Sequence, residues 1–195
     1  MNNVLEIIGL LIGILYLYWE YKADRKLWIA SVAMPLVSLF VYWNAGLYAD
    51  FGIDIYYLLI ALYGFFVWTR GENNSSKNQK KELSITQTSR KTWLFLTLAF
   101  LLIYTAIAYV LLHFTDSTVP YWDALNTALS IVAMWMLARK LLEQWIVWLV
   151  VDAISSTLYV YKGIYFYAGL HLIYTFVAWA GYKEWKRKSS EQRAP

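Results

Sequence analysis

The sequence lacks cysteine and has only two histidines, His113 and His171, which lie far apart. The absence of cysteine excludes disulfides, thiolate nucleophiles and cysteine-based metal sites, and two distant histidines do not make a compact metal site. The sequence also has no GxSxG, HExxH or phosphate-binding glycine motif. It therefore predicts neither an enzyme nor a bound metal or cofactor.

Charged residues are also scarce, at 15% of the chain, whereas 60% of the residues are hydrophobic and 19% are aromatic. A soluble domain has about a quarter of its residues charged, so this composition is typical of a membrane protein. The first apolar run has no basic segment before it and no small-residue cleavage site, and we expect it to be retained as a span.

Seven apolar runs of about 17 to 22 residues are each long enough to cross roughly 30 Å of hydrocarbon as a helix. The runs are 3–21, 27–44, 49–69, 92–113, 120–138, 144–161 and 165–185. Segment 70–91 is the one long polar stretch, and its Asn, Ser and Lys content predicts a flexible linker. The sequence thus predicts an all-α polytopic membrane protein with seven transmembrane helices.

The basic residues predict the orientation of these spans. Of the 17 Lys and Arg residues, 16 fall in the first, third and fifth loops and the C-terminal tail, and only Lys162 falls on the other side. Lys and Arg are retained on the cytoplasmic side of short loops. We therefore expect the bacterial inner membrane, with the N-terminus outside and the C-terminus in the cytoplasm.

The chain also contains an internal repeat at an offset of 117 residues. The offset matches seven pairs of identical Trp, Tyr or Gly residues: Trp28/Trp145, Tyr42/Tyr159, Gly46/Gly163, Tyr48/Tyr165, Tyr57/Tyr174, Gly64/Gly181 and Trp68/Trp185. This pattern predicts two parallel three-helix repeats joined by a linking helix (3+1+3), with a substrate site between them, as in secondary transporters. The predicted boundaries are 1–69 for the first repeat, 70–113 for the linker and linking helix, 114–188 for the second repeat and 189–195 for the tail.

Asp152 lies near the middle of the sixth span, where an acidic residue costs about 3 kcal/mol on insertion scales and indicates a functional site. Helical spacing places Trp148, Asp152, Ser155 and Tyr159 on one face of that span. A carboxylate, hydroxyls and aromatic rings on one face favour an aromatic, cationic ligand. Trp145 is expected to close the inner end of this face.

Two further intramembrane groups, Asp54 and His171, are matched by the repeat offset, and each is followed three residues later by a tyrosine. Asp54 and Tyr57 join the predicted substrate-binding set, and so does His171. A structural role is the alternative for each aspartate, through a hydrogen bond to a hydroxyl or a histidine across a helix interface. For His171 the alternative is a hydrogen-bonded packing residue.

Some residues near span ends are better explained by the membrane surface. Trp28, Trp68, Trp122 and Trp185 are expected to belong to the aromatic belt at the membrane interfaces. Glu20 lies close to Lys22 and Arg25 and is expected to form a surface ion pair.

The segment around Asp152 resembles the PnuC family of vitamin transporters. The residues that carry this resemblance are WIVWLVVDAISSTLYVYKGIY (145–165), LSIVAMWMLARK (129–140), AGYKEW (180–185) and GLYADFGIDIYYLLIALYGFFVW (46–68). The resemblance covers nearly the whole chain. It implies a fold similar to that of the SWEET sugar transporters, and a facilitator (uniporter) that moves an unphosphorylated vitamin while a cytoplasmic kinase traps it. A homotrimer is a further implication, and nucleic acid is not an expected partner.

Three positions of that pattern bear on the substrate. The nicotinamide riboside members are expected to have Asn at the position of Asp152, Gln at that of Asp54 and Asn at that of Ala61. Carboxylates suit the aminopyrimidine and thiazolium of thiamine, so the chain resembles most closely the thiamine-transporting PnuT branch. Nicotinamide riboside is the alternative substrate. A membrane sensor or binding subunit that carries no flux is a more remote alternative.

Overall fold

The computed structural model describes residues 2–45, 48–71 and 83–193. Within these residues the chain forms seven α-helices and no strand, apart from one isolated bridge between Thr86 and Leu141. The helices are α1 Asn2–Lys22, α2 Leu27–Ala45, α3 Tyr48–Arg70, α4 Arg90–Phe114, α5 Pro120–Ala138, α6 Gln144–Tyr161 and α7 Tyr165–Arg193. The predicted all-α class and the seven helices are confirmed.

The membrane-spanning character is clearest for two of these helices. Residues Phe51–Arg70 of α3 have a mean hydropathy of 1.7 and Arg90–Phe114 have one of 2.4, and both stretches are long enough to cross a bilayer. These are the two candidates among the described residues, so the full count of seven spans stays a prediction.

The last helix is longer than its predicted span. α7 continues to Arg193, into the segment predicted as a C-terminal tail. Glu184, Arg187 and Glu191 form ion pairs at i,i+3 and i,i+4 spacing along this extension. Pairs at that spacing stabilise a helix, which explains why the polar end of the chain remains helical.

The described chain divides into two compact units, Met1–Ser84 and Ile85–Pro195. In the first unit α2 packs against both α1 and α3. In the second unit α4 packs against α5, α5 against α6, and α6 against α7. The core of the second unit is formed by apolar side chains of α4, α5, α6 and the α5–α6 turn: Leu96, Val132, Ala133, Met136, Leu141, Val147 and Val151.

The end of the predicted flexible linker is bound to the second unit. Residues 72–82 lie outside the described part of the chain, but Thr86 exchanges backbone hydrogen bonds with Lys140 and Leu142 in the α5–α6 turn. Thr88 donates through its backbone N–H and its hydroxyl to Glu143 Oε2, at 2.8 and 2.7 Å. The prediction of a flexible linker is therefore wrong for residues 83–89, because these contacts fix an extended segment ahead of α4.

In the first unit, α2 and α3 meet through two tryptophans and a glycine. The ring centroids of Trp28 and Trp68 lie 5.6 Å apart, edge to face, and both side chains are buried. A Cβ added to Gly64 would come within 2.3 Å of the Trp28 ring, so only glycine allows this approach.

The second unit contains the same arrangement between α6 and α7. Trp145 and Trp185 are also edge to face, at 5.7 Å, and a Cβ on Gly181 would come within 2.7 Å of the Trp145 ring. The three residues are the partners of Trp28, Gly64 and Trp68 at the 117-residue offset.

These contacts correct the interfacial-belt prediction. Trp28, Trp68 and Trp185 are buried between helices, because each packs against a tryptophan of the neighbouring helix. Trp122 is exposed, as a belt residue would be. Glu20 is 2% exposed, so the prediction of a surface ion pair is also wrong.

The turns that lead into α2 and α6 share one backbone conformation. Ala23 and Lys140, also 117 residues apart, have positive φ angles of 55° and 56°. Five backbone hydrogen bonds of the first turn, beginning with Ala23 N–H to the Glu20 carbonyl, recur at this offset in the second turn, where Lys140 N–H donates to Leu137. Tyr42, Gly46 and Tyr48, three other residues of the repeat pattern, lie outside the residues whose side chains are described.

Candidate functional site

Asp152 and His171 form a hydrogen-bonded pair between α6 and α7. His171 Nδ1 donates to Asp152 Oδ1 at 2.8 Å, and Asp152 is 7% exposed. This is the arrangement that the sequence left open as the alternative for Asp152, a bond to a histidine across a helix interface. Sequence spacing did not pair these two residues, because the contact depends on how α7 packs on α6.

Aromatic rings surround the His171 side of this pair. The Tyr159 ring stacks on the imidazole with centroids 5.3 Å apart, and the Tyr174 ring meets it edge on at 5.6 Å. Tyr167 contacts Tyr159 at 5.6 Å. The three tyrosines present π faces and hydroxyl groups next to a carboxylate, a combination suited to a flat cationic ligand.

A polar contact with α5 lies one helical turn beyond Asp152. Asn126 Nδ2 donates to Ser155 Oγ at 2.9 Å. The buried Oδ1 atom of Asn126 has no hydrogen-bond partner in the described part of the chain. Asn126 is absent from the sequence-predicted set, although an amide within an apolar span is itself a functional signal.

The two predicted tryptophans of α6 differ in their surroundings. Trp148 is partly buried against the core of the second unit, and its Nε1 atom is buried without a partner among the described residues. Trp145 is 2% exposed and packs against Gly181 and Trp185. Its ring therefore contributes to the α6–α7 contact, beyond the expected role at the inner end of the ligand face.

The remaining predicted residues, Asp54 and Tyr57, lie on α3 of the first unit. Both are partly buried, and the Tyr57 ring contacts Tyr56 with centroids 5.6 Å apart. Ala61, one turn further along α3, is fully buried. The structure thus brings Asp152, Ser155, Tyr159 and His171 together in the second unit, with Trp148 on the same helix, and places Asp54 and Tyr57 in the other unit.

The described residues hold no group of three or more His, Cys, Asp or Glu side chains that could bind a metal ion. The chemistry available around Asp152 is therefore hydrogen bonding, charge and aromatic stacking. These groups bind and orient a ligand, and the helices that carry them have the apolar length of membrane spans. Together they define the class of a polytopic membrane transporter.

The chain belongs to the nicotinamide mononucleotide transporter family, whose family model matches residues 3–187. Members of this family are transporters, and its relatives include the PnuC proteins that the sequence resembles.

Curated relatives extend this assignment. The chain is 26% identical over 178 residues to the nicotinamide riboside transporter PnuC of Escherichia coli (strain K12), covering 80% of this chain and 74% of the relative. It is 25% identical over 194 residues to the riboflavin/roseoflavin transporter RibM of Streptomyces davaonensis, covering 97% and 88%.

A solved structure supports the fold. The crystal structure of the vitamin B3 transporter PnuC is similar with a TM-score of 0.68 and 19% sequence identity, and the match covers 94% of this chain and 81% of that one. At this identity the likeness establishes the fold alone.

Proposed function

We propose that this chain is a facilitator of the cytoplasmic membrane that takes up an unphosphorylated B vitamin, with nicotinamide riboside as its first candidate substrate. The observation that carries this proposal is the buried Asp152–His171 pair, surrounded by Tyr159 and Tyr174, in a chain of a transporter family. A pyridinium ring is flat and cationic, and the stacked tyrosines and the carboxylate complement both properties.

The choice of nicotinamide riboside reverses the order of the sequence-based prediction. The relatives reported above are named for nicotinamide riboside and riboflavin, and they favour the alternative over thiamine. In addition, the argument for thiamine rested on a carboxylate free to bind a cation. Asp152 is already engaged by His171, which reduces its capacity to discriminate against an uncharged carboxamide.

Thiamine remains the second candidate because of one specific observation. Asp152 and Asp54 stand where the resemblance to nicotinamide riboside members leads one to expect amides. Two acidic groups would hold the aminopyrimidine and the thiazolium of thiamine by charge-assisted hydrogen bonds.

We further propose seven spans in a 3+1+3 arrangement, with the N-terminus outside and the C-terminus in the cytoplasm. The matching Trp–Gly–Trp contacts and the matching turns at the 117-residue offset support two equivalent repeats. The clustering of basic residues supports the orientation. Under this proposal Trp148, Asp152, Ser155, Tyr159 and His171 contribute to the substrate site from the second repeat, and Asp54 and Tyr57 contribute from the first.

The proposed transport cycle includes a metabolic trap. A facilitator cannot concentrate its substrate by itself, so a cytoplasmic kinase that phosphorylates the vitamin would maintain the inward gradient. A homotrimer is part of the same proposal. A sensor or binding subunit would bind the vitamin equally well and carry no flux.

Uptake of labelled vitamins into cells that lack their own transporters tests the proposed substrate. Cells that produce this chain are expected to accumulate nicotinamide riboside faster than thiamine or riboflavin. Uptake of thiamine without uptake of nicotinamide riboside would establish the second candidate in its place.

A further inference from the structure

Two buried polar atoms without partners lie on either side of Asp152. One is Asn126 Oδ1, a hydrogen-bond acceptor on α5, and the other is Trp148 Nε1, a donor on α6. Neither has a hydrogen-bond partner among the described residues. An unpaired buried polar atom costs about 1–3 kcal/mol, and a ligand that supplies the missing partner recovers that free energy on binding.

The separation of the two atoms indicates the length of such a ligand. Asn126 is bound to Ser155, which lies seven residues after Trp148 on α6. At 1.5 Å per residue, seven residues correspond to roughly 10 Å along the helix. A nucleoside has about this length, with a base at one end and a hydroxylated sugar at the other.

The aromatic side chains indicate which end of the ligand lies at Asn126. Tyr159 is one turn beyond Ser155, and its ring contacts both Tyr167 and His171. A pyridinium ring stacked at this level would place its substituent near the polar pair of Asn126 and Ser155. The sugar hydroxyls would then lie toward Trp148, whose N–H can donate to an oxygen.

We infer that Asn126 is a specificity-determining residue that recognises the carboxamide of nicotinamide riboside. The carboxamide N–H₂ donates to Asn126 Oδ1, while Asn126 Nδ2 remains bound to Ser155. A carboxylate in place of the carboxamide has no hydrogen to donate, and its oxygens would face the Asn126 oxygen. The site therefore discriminates against the acid. This inference rests on the proposed substrate.

The test compares two ligands in purified protein: nicotinamide riboside and its analogue with a carboxylate in place of the carboxamide. The wild-type chain is expected to prefer the amide by at least about tenfold in Kd, the effect of one well-made hydrogen bond. In Asn126→Leu, which has similar size and no acceptor, the preference should fall to within about threefold. A packing role would weaken both ligands equally and leave the ratio unchanged, which would overturn the inference.

Ser130→Ala is the matched control on the same helix. The Ser130 hydroxyl donates to the backbone carbonyl of Asn126, so its removal disturbs the same turn of α5 without touching the amide. The preference for the amide should be retained in this variant. If Asn126→Leu does not fold, Asn126→Asp replaces it, because aspartate keeps an acceptor and should also retain the preference.

The outcomes separate the inference from the function on which it rests. A wild-type chain that binds nicotinamide riboside without a preference over the acid refutes the role of Asn126 and leaves the transporter proposal intact. Equal binding of the two ligands by Asn126→Asp refutes it as well. A wild-type chain that binds neither ligand refutes both proposals.

Discussion

Asp152 changes its meaning once its partner is known. In the sequence it is an isolated acid in an apolar span, whereas in the structure it accepts a hydrogen bond from His171 and is nearly buried. An acid with a partner can serve as a fixed part of a binding site, since the partner holds its orientation and offsets part of its cost in the membrane. Substrate choice then depends on what the pair leaves available.

Asp152→Asn should distinguish the two candidate substrates. The amide oxygen of asparagine can still accept from His171, so the variant should fold normally. It should bind nicotinamide riboside within about threefold of the wild type, whereas thiamine, which would lose a charge-assisted bond, should weaken about tenfold or more. Equilibrium binding of both vitamins measures this difference. A large loss for nicotinamide riboside would contradict the proposed substrate order.

The contribution of the pair to stability can be separated from its contribution to binding. His171→Phe keeps a ring against Tyr159 and Tyr174 but leaves Asp152 without this donor, and should destabilise the chain by roughly 3 kcal/mol. In the double variant with Asp152→Leu the buried acid is gone, and stability should recover in large part. Thermal unfolding in detergent measures both values. A double variant no more stable than His171→Phe would show that the bond contributes little.

At the scale of helices, close contact depends on glycine beneath tryptophan. Trp145 lies over Gly181 in the second unit as Trp28 lies over Gly64 in the first. A flat ring on a glycine brings two helix backbones close together, and small residues are the usual means of doing so in membranes. These tryptophans therefore fix the α2–α3 and α6–α7 pairs that carry the candidate binding residues.

Gly181→Ala should disrupt the α6–α7 contact. Its Cβ would come within 2.7 Å of the Trp145 ring, and we expect a loss of about 1–3 kcal/mol. Gly169→Ala on the same helix is the matched control, because nothing lies within 4 Å of its Cβ and alanine has the higher helix propensity. The melting temperature should fall for the first variant and remain equal or rise for the second. Equal effects would contradict the packing role.

The elements could be predicted from the sequence better than their contacts. The bounds of α5 and α6 agree with the predicted runs, because apolar length determines a helix in a membrane. Whether a tryptophan at a span end faces lipid or a glycine depends on the neighbouring helix, and three such residues were assigned wrongly: Trp28, Trp68 and Trp185. Asn126 was missed for the same reason, since its role is visible only through Ser155.

At the scale of the whole molecule, the orientation in the membrane is the main prediction to test. The chain has no cysteine, so a single introduced cysteine gives a unique label. Ser190→Cys, near the end of α7, should react with a membrane-impermeant reagent only in inverted vesicles, whereas Thr118→Cys, in the α4–α5 loop, should react in intact cells. Both positions are exposed. The opposite pattern would reverse the proposed topology.

The central claim is that the chain carries nicotinamide riboside across a membrane without an energy source. Counterflow in proteoliposomes tests it most directly, because a facilitator exchanges its substrate in both directions. Vesicles that contain purified protein and are loaded with unlabelled nicotinamide riboside should take up the labelled vitamin transiently, and vesicles without protein should not. Binding of the vitamin without counterflow would contradict the claim and identify a sensor or binding subunit.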